Sequence, residues 1–591
     1  MRKTLALALA ATLAAAGSLH AQAAPASWVQ RSNADAKVLL DTIARFSPEF
    51  ATQVGLPGYD TKVSDLKPGI DARSRAALVD AKGKLEKLLA TEKDPNVRED
   101  LQIMIEAAAE QIEGIDLNRK YLLPYNDIGS LVFSGEFALL KDDVDAKRRP
   151  AALKRLQCYV GKAPGCTPVT DEAKALMVAR LGDKSLLGPY KGEVEQKLAN
   201  TPRYVEGIRK LFAKYKLDTP EGKAALDALD KQLADYDAWV RSTVLPRARA
   251  DFRLPEPLYA YNLKQVGIDI PPEQLMKQAE LEFMELRGMM QTMAPVVAKA
   301  EGFDATDYRD VLKALKKQQL SRDQVEPWYH EVLGHIEDTI RDKGIVTLPR
   351  RQMQMRVASE AEAAQVPAPH MDPPPFLNNH GERGTFVLTM GNPGNGKDNS
   401  QAYDDFTFKA AAWTLTAHEG RPGHELQFAA MVERGVSLAR SLFAFNSVNV
   451  EGWALYAESE MLPYEPPAGQ FAALQARLMR AARAYLDPML NLGLITRERA
   501  HDVLVHDVGL SEALAREELD RYTFDSPGQA TAYFYGYLRL QQLRLQTELA
   551  LGDRFDRKAF NDFVIGQGLL PPAQLAEAVQ TQFVPQQKQK K

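Results

Sequence analysis

His418 and His424 stand six positions apart in His418-Glu419-Gly420-Arg421-Pro422-Gly423-His424, and Glu451-Gly452-Trp453-Ala454-Leu455-Tyr456-Ala457-Glu458 begins 27 residues after the second. Imidazoles and carboxylates at this density are metal-ligand chemistry. A catalytic zinc takes three protein ligands, often two His and one Glu, and keeps a fourth position for a water whose pKa falls to about 7. A carboxylate beside the first His can take that water's proton while its oxygen attacks a polarised carbonyl. The chain has nine histidines, and a lone helical His is usually structural. Two of them beside a Glu favour ligation. Glu419 is then the general base; a surface carboxylate would fit poorly after Ala411-Ala412-Trp413-Thr414-Leu415.

The familiar form of this chemistry is His-Glu-x-x-His, which puts both imidazoles on one helix face. Here the wider spacing would turn the second ring roughly 120° away on a continuous helix. Gly420, Pro422 and Gly423 remove the difficulty, because Pro interrupts the hydrogen-bond ladder and Gly opens dihedrals closed to other residues. The pattern predicts a helix from about Asp405 to Glu419, a bulge, and a second helix from about His424 to Glu433 stopped by Gly435.

A third ligand must come from another element. Glu451 and Glu458 share a helix face, and the spacing alone leaves either one as ligand. Glu425 also follows a His, but Phe428 stands where a further His would complete the usual motif. Ser526-Pro527 opens a helix that places Tyr533 and Tyr537 on one face. A phenol there could hold the oxyanion of amide hydrolysis. Tyr537 is a weaker substrate-binding candidate, and Arg521 a candidate anchor for a substrate carboxylate. His330/His335 and His501/His506 lack matching carboxylates and read as surface or packing residues.

These motifs, with Pro527-Gly528-Gln529-Ala530 running to Tyr533 and Gly536, and with Ser47-Pro48-Glu49-Phe50-Ala51-Thr52 and Gly55 near the start, resemble the bacterial "domain of unknown function 885" proteins. The resemblance spans nearly the whole chain after the leader. It implies a zinc-peptidase-like protein related in plan to the gluzincins. It also implies that Glu451 is the third ligand, that Glu458 hydrogen-bonds a ligand imidazole, and that Tyr533 is the catalytic tyrosine.

The elements around these residues are mostly helical. Arg2 and Lys3, an apolar run from Leu5 to Ala16 and Ala21-Gln22-Ala23 read as a signal peptide over 1–23, too short for a membrane span. The protein is therefore expected to be exported, to the periplasm in a Gram-negative cell, without stable membrane insertion. Cys158 and Cys166 enclose a turn-rich loop and are expected to form a disulfide there. A formal charge of −4 over 591 residues, with 45% hydrophobic content, indicates a large globular chain and no nucleic-acid partner.

Residues 24–345 carry apolar residues at three- and four-residue spacing, as in Leu275, Ala279, Leu286 and Met290. They read as a helical scaffold and cleft wall, with Met284, Met289 and Met290 as core filler. Residues 346–583 form the expected metal-binding region. In it Gln352–Val357 and Thr385–Met390 are strand candidates on either side of a Pro-rich loop. The resulting small sheet either pairs with an extended peptide or is only structural. Gly391–Gly396 lacks the ending of a phosphate loop and reads as a surface loop. Residues 584–591 read as a flexible tail.

The sequence thus points to a mainly α, metallopeptidase-like fold with a small β-sheet next to the metal-binding helices. The expected protein is an exported zinc peptidase, one Zn2+ per chain, that cleaves short peptides. Alternatives are a metallohydrolase of non-peptide amides or esters, and a non-catalytic exported protein with a structural metal. The oligomeric state is not legible.

Overall fold

The structure, a computed structural model, describes residues 27–142, 144–359, 362–363, 366–390 and 403–590. The expected leader and the Gly391–Gly396 loop lie outside the described residues. The chain is mainly α, with one three-stranded sheet among the described residues. Among the described residues no helix is long and apolar enough to cross a membrane.

The N-terminal helices Ser27–Phe46, Ile70–Thr91 and Pro95–Tyr121 pack through Leu39, Leu85, Leu101 and Met104. That core also takes Leu438 and Ala439 from far along the chain. A second core joins residues between Leu123 and Val244. The largest runs from Ile103 to Val584, so it holds residues from both sides of position 345. Cys158 and Cys166 form a disulfide in the scaffold.

Pro48 occupies the first turn of helix Pro48–Gln53, where its missing N–H costs nothing. Ser47 makes no side-chain cap there, and Gly55 ends the turn at φ +85°. This corner is tied to the far half, because Leu377 N–H donates to Val54 O at 3.0 Å and Asn378 Nδ2 donates to Gly55 O at 2.9 Å.

In helix Pro272–Glu301, Leu275, Ala279, Leu286 and Met290 are buried, whereas Met284 and Met289 are 53% and 54% exposed. These two do not fill the core. At about 100° per residue both fall off the stripe that Leu286 and Met290 define. The expected tail is helical over Val584–Gln589, with Val584 and Gln587 buried, because Val584 extends the apolar face of Val579 and Phe583.

The sheet consists of β1 (Gln354–Val357), β2 (His370–Asp372) and β3 (Thr385–Leu388) in the order β1-β3-β2. β1 runs parallel and β2 antiparallel to β3. β2 lies in the stretch expected to be a loop. Three residues between prolines are too few to show a period-two pattern.

Candidate metal-binding active site

The helix that carries the first histidine starts at Ala411 instead of about Asp405. Asp405 is committed elsewhere: its carboxylate accepts from Lys316 Nζ at 2.6 Å and Ser511 Oγ at 2.5 Å. After Leu415 the helix widens into a π turn over Thr416–Gly420, a form frequent at functional sites. The chain breaks at Arg421-Pro422, a cis peptide, and resumes as helix His424–Arg434, ended by Gly435 in the left-handed region.

Gly423 is needed because the chain doubles back on itself. A Cβ there would stand 1.9 Å from His418 O. The indole N–H of Trp453 fastens the bulge by donating to Pro422 O at 3.0 Å and Gly423 O at 3.3 Å. Arg421, buried, pairs with Glu425 and Glu337, both at 2.7 Å. Glu425 is thereby occupied as a structural partner.

The break brings the two rings together, with centroids 4.8 Å apart and planes at 80°. Helix Ser447–Met461 supplies the third group. Glu451 Oε2 lies 3.5 Å from His418 Nε2 and 3.3 Å from His424 Nε2, and the donor atoms of His418, His424 and Glu451 all fall within 4.8 Å of one another. Glu451 Oε2 is buried with no hydrogen-bond donor among the described residues, the kind of orphan that a cation satisfies. Two imidazole nitrogens and a carboxylate oxygen suit zinc.

Two turns further along the same helix face, Glu458 is fully buried and its Oε1 lies 2.6 Å from His418 Nδ1. A carboxylate only accepts, so Nδ1 carries a proton toward Glu458, and Nε2 is the ring atom turned toward Glu451. Thr414 Oγ1 donates to Glu458 Oε2 at 2.5 Å, and Arg480 Nη2 lies 3.5 Å from Oε1. Glu419 Oε1 stands 3.8 Å from His418 Nε2. Burial disfavours the charged form of His418, yet Glu451, Glu458 and Glu419 outweigh it and push the imidazole up to about 9.

Tyr533, from helix Ala532–Leu551, stacks near His418 with centroids 6.1 Å apart and planes at 13°. Its hydroxyl accepts from Arg521 Nη2 at 2.8 Å. Burial raises the phenol pKa, and the Arg521 charge opposes that rise. Arg521 Nε and Nη2 also donate to Gln529 Oε1, and Nη1 lies 3.7 Å from Glu518 Oε1, so this side chain positions Tyr533. Arg483, held by Glu518 through two hydrogen bonds of 2.7 and 2.6 Å, sits 4.6 Å from the Tyr533 ring centre. Tyr537 lies under the guanidinium of Arg477 and accepts from Gln541 Nε2, and it is not among the residues lining the cavity described next.

Glu419, His424, Glu451, Arg521 and Tyr533 line a cavity of about 1060 Å³. Its other walls come from the scaffold, including Phe50, Asp127, Lys197 and Tyr204, and from His370 and Met371 of β2. Sequence reasoning gave no role to Trp453, Thr414 or Arg480. An indole two residues after Glu451 was a usable signal for the first. Arg480 comes from a different helix, Pro467–Asn491, and carried none. His335 stacks on Trp413, and His501 pairs with Glu512 at 3.0 Å; neither His lines the cavity.

Fold and site together define a mainly α protein whose broken helix and a neighbouring helix assemble a two-histidine, one-glutamate candidate metal centre. The chain belongs to the family described as bacterial protein of unknown function, DUF885, whose model matches residues 48–579. No curated protein matches the sequence. Its fold is similar to that of a candidate lipoprotein from Colwellia psychrerythraea, with a TM-score of 0.76 and 20% identity over 95% of this chain and 100% of that one. A candidate lipoprotein of unknown function from Shewanella oneidensis is also similar, with a TM-score of 0.70 and 20% identity over 94% of this chain and 100% of that one.

Proposed function

We propose that this chain is an exported zinc-dependent peptidase that hydrolyses peptide bonds of short peptides. The observation that carries the reading is the convergence of His418, His424 and Glu451 on one point beside Glu419, in the wall of a cavity of about 1060 Å³. His418 Nε2, His424 Nε2 and Glu451 Oε2 would hold one zinc ion per chain, with Glu458 fixing the His418 tautomer. When bound, zinc supplies Lewis-acid chemistry, polarising a carbonyl and acidifying water.

Glu419 accepts a proton at its carboxylate from the attacking water and returns it to the leaving amine. Tyr533 donates its phenolic hydrogen to the oxygen that becomes negative in the tetrahedral state, and Arg521 holds that phenol in place. The enclosing helices limit access to extended or short chains. A leader-like N-terminus and a disulfide fit an exported protein in an oxidising compartment.

The test is turnover of capped short peptides, small amides and esters by the zinc-loaded protein and by Glu419→Gln. Peptide cleavage that falls by about 10²–10⁴-fold in the variant, with metal content unchanged, is the expected result. Turnover of esters alone would replace peptides as the substrate class, and unchanged turnover in the variant would remove Glu419 as the base.

A further inference from the structure

The cavity lining is of two kinds, with the charged residues Asp127, Lys197, Glu517 and Asp520, and an apolar part of the wall that includes Val54, Phe376, Phe428, Phe445 and Val450. Phe376, Phe428 and Val450 belong to one apolar cluster with Met371. The apolar wall is built into the metal-binding elements themselves. Phe428 lies one helical turn after His424, and Val450 immediately precedes Glu451. Phe376 packs on Phe428 with ring centroids 5.8 Å apart.

Phe445 is 55% exposed. A single exposed apolar residue on an outer surface is ordinary. This one faces a cavity and stands on a fixed corner. Its neighbour Asn446 is buried, donates to Ala444 O and Leu569 O at 3.0 Å each, and accepts from Asn449 N–H at 2.8 Å. Val366, which lines the same cavity, is 41% exposed. A rigid, half-open apolar recess beside polar catalytic groups is the ordinary form of a side-chain binding site.

We propose, resting on the peptidase reading, that this wall binds a bulky apolar side chain, aromatic or branched aliphatic, of a residue flanking the cleaved bond, and that Phe445 is its specificity-determining contact. Peptides with Phe or Leu beside the cleaved bond are the preferred substrates, and those with Asp there are the poorest.

The experiment measures binding separately from turnover. Capped pentapeptides of alanine with Phe, Ala or Asp at the centre are titrated calorimetrically into the zinc-loaded Glu419→Gln protein, with and without Phe445→Ala. The Phe peptide is expected to bind roughly tenfold or more tightly than the Ala peptide, and Phe445→Ala to erase most of that preference, the scale on which apolar pockets discriminate. Equal affinity for all three peptides, no binding of any, or a preference untouched by Phe445→Ala at an unchanged melting temperature would overturn the proposal. Cleavage by the protein with Glu419 intact then separates the two readings. Phe445-dependent binding without cleavage removes the peptidase and keeps the apolar site, whereas cleavage indifferent to the central residue does the reverse.

Discussion

Gly452 and Gly536 meet backbone to backbone. A Cβ on Gly452 would stand 2.6 Å from the Cα of Gly536, and a Cβ on Gly536 would stand 2.0 Å from Val448 O. Helices Ser447–Met461 and Ala532–Leu551 therefore cross with no side chain between them. Glu451 immediately precedes the first glycine, and Tyr533 lies one turn before the second. This crossing sets how far the Glu451 carboxylate stands from the Tyr533 phenol.

Gly452→Ala should accordingly damage stability and site together. Forcing a methyl group into a closed helix crossing costs about 1–3 kcal/mol, visible as a lower melting temperature, and the displaced Glu451 should weaken zinc binding. An alanine variant that melts and binds zinc like the parent would show that the helices separate freely.

His424→Ala should reduce zinc from about one ion per chain to much less, read by elemental analysis of the purified protein. Full metal content in this variant would mean that the two sides of the helix break do not share an ion.

Glu458→Gln removes a charge but keeps an acceptor beside His418 Nδ1. Zinc affinity should fall by about 10–100-fold, measured by competition with a chelator, while helix content stays unchanged. Unaltered affinity would leave the carboxylate with a packing role only.

Tyr533→Phe should retain zinc and lower kcat by about 10²–10³-fold. Arg521→Ala should lower kcat in the same sense by a smaller factor, because it acts through the position of the Tyr533 hydroxyl. A loss in KM alone would place Tyr533 in ground-state binding.

The groups that the structure brings together were legible because they sit in two short segments rich in ligand chemistry, and because glycine and proline between His418 and His424 announced a broken helix. The π turn at Thr416–Gly420 was not legible, since nothing in its composition separates it from an α-helix. The start of that helix was misjudged because Asp405 is claimed by Lys316 and Ser511, partners distant in sequence. Arg480 behind Glu458 and β2 between its prolines were hidden for the same reason, that tertiary contacts decide them. The face on which Met284 and Met289 lie could have been found by counting helical angles from Met290.

Beside the cavity, buried Arg440 directs Nε to Asp100 at 2.8 Å, Nη2 to Glu99 at 2.6 Å and Nη1 to Gln567 at 3.0 Å. The next two residues, Ser441 and Leu442, line the cavity. One guanidinium thus ties together segments more than three hundred residues apart. Parting them would strand a buried charge at a cost of about 3–5 kcal/mol. The stretch of cavity wall that carries Ser441 and Leu442 is thus anchored to the N-terminal helices by the fold itself, and its position is inherited from the packing of the whole chain.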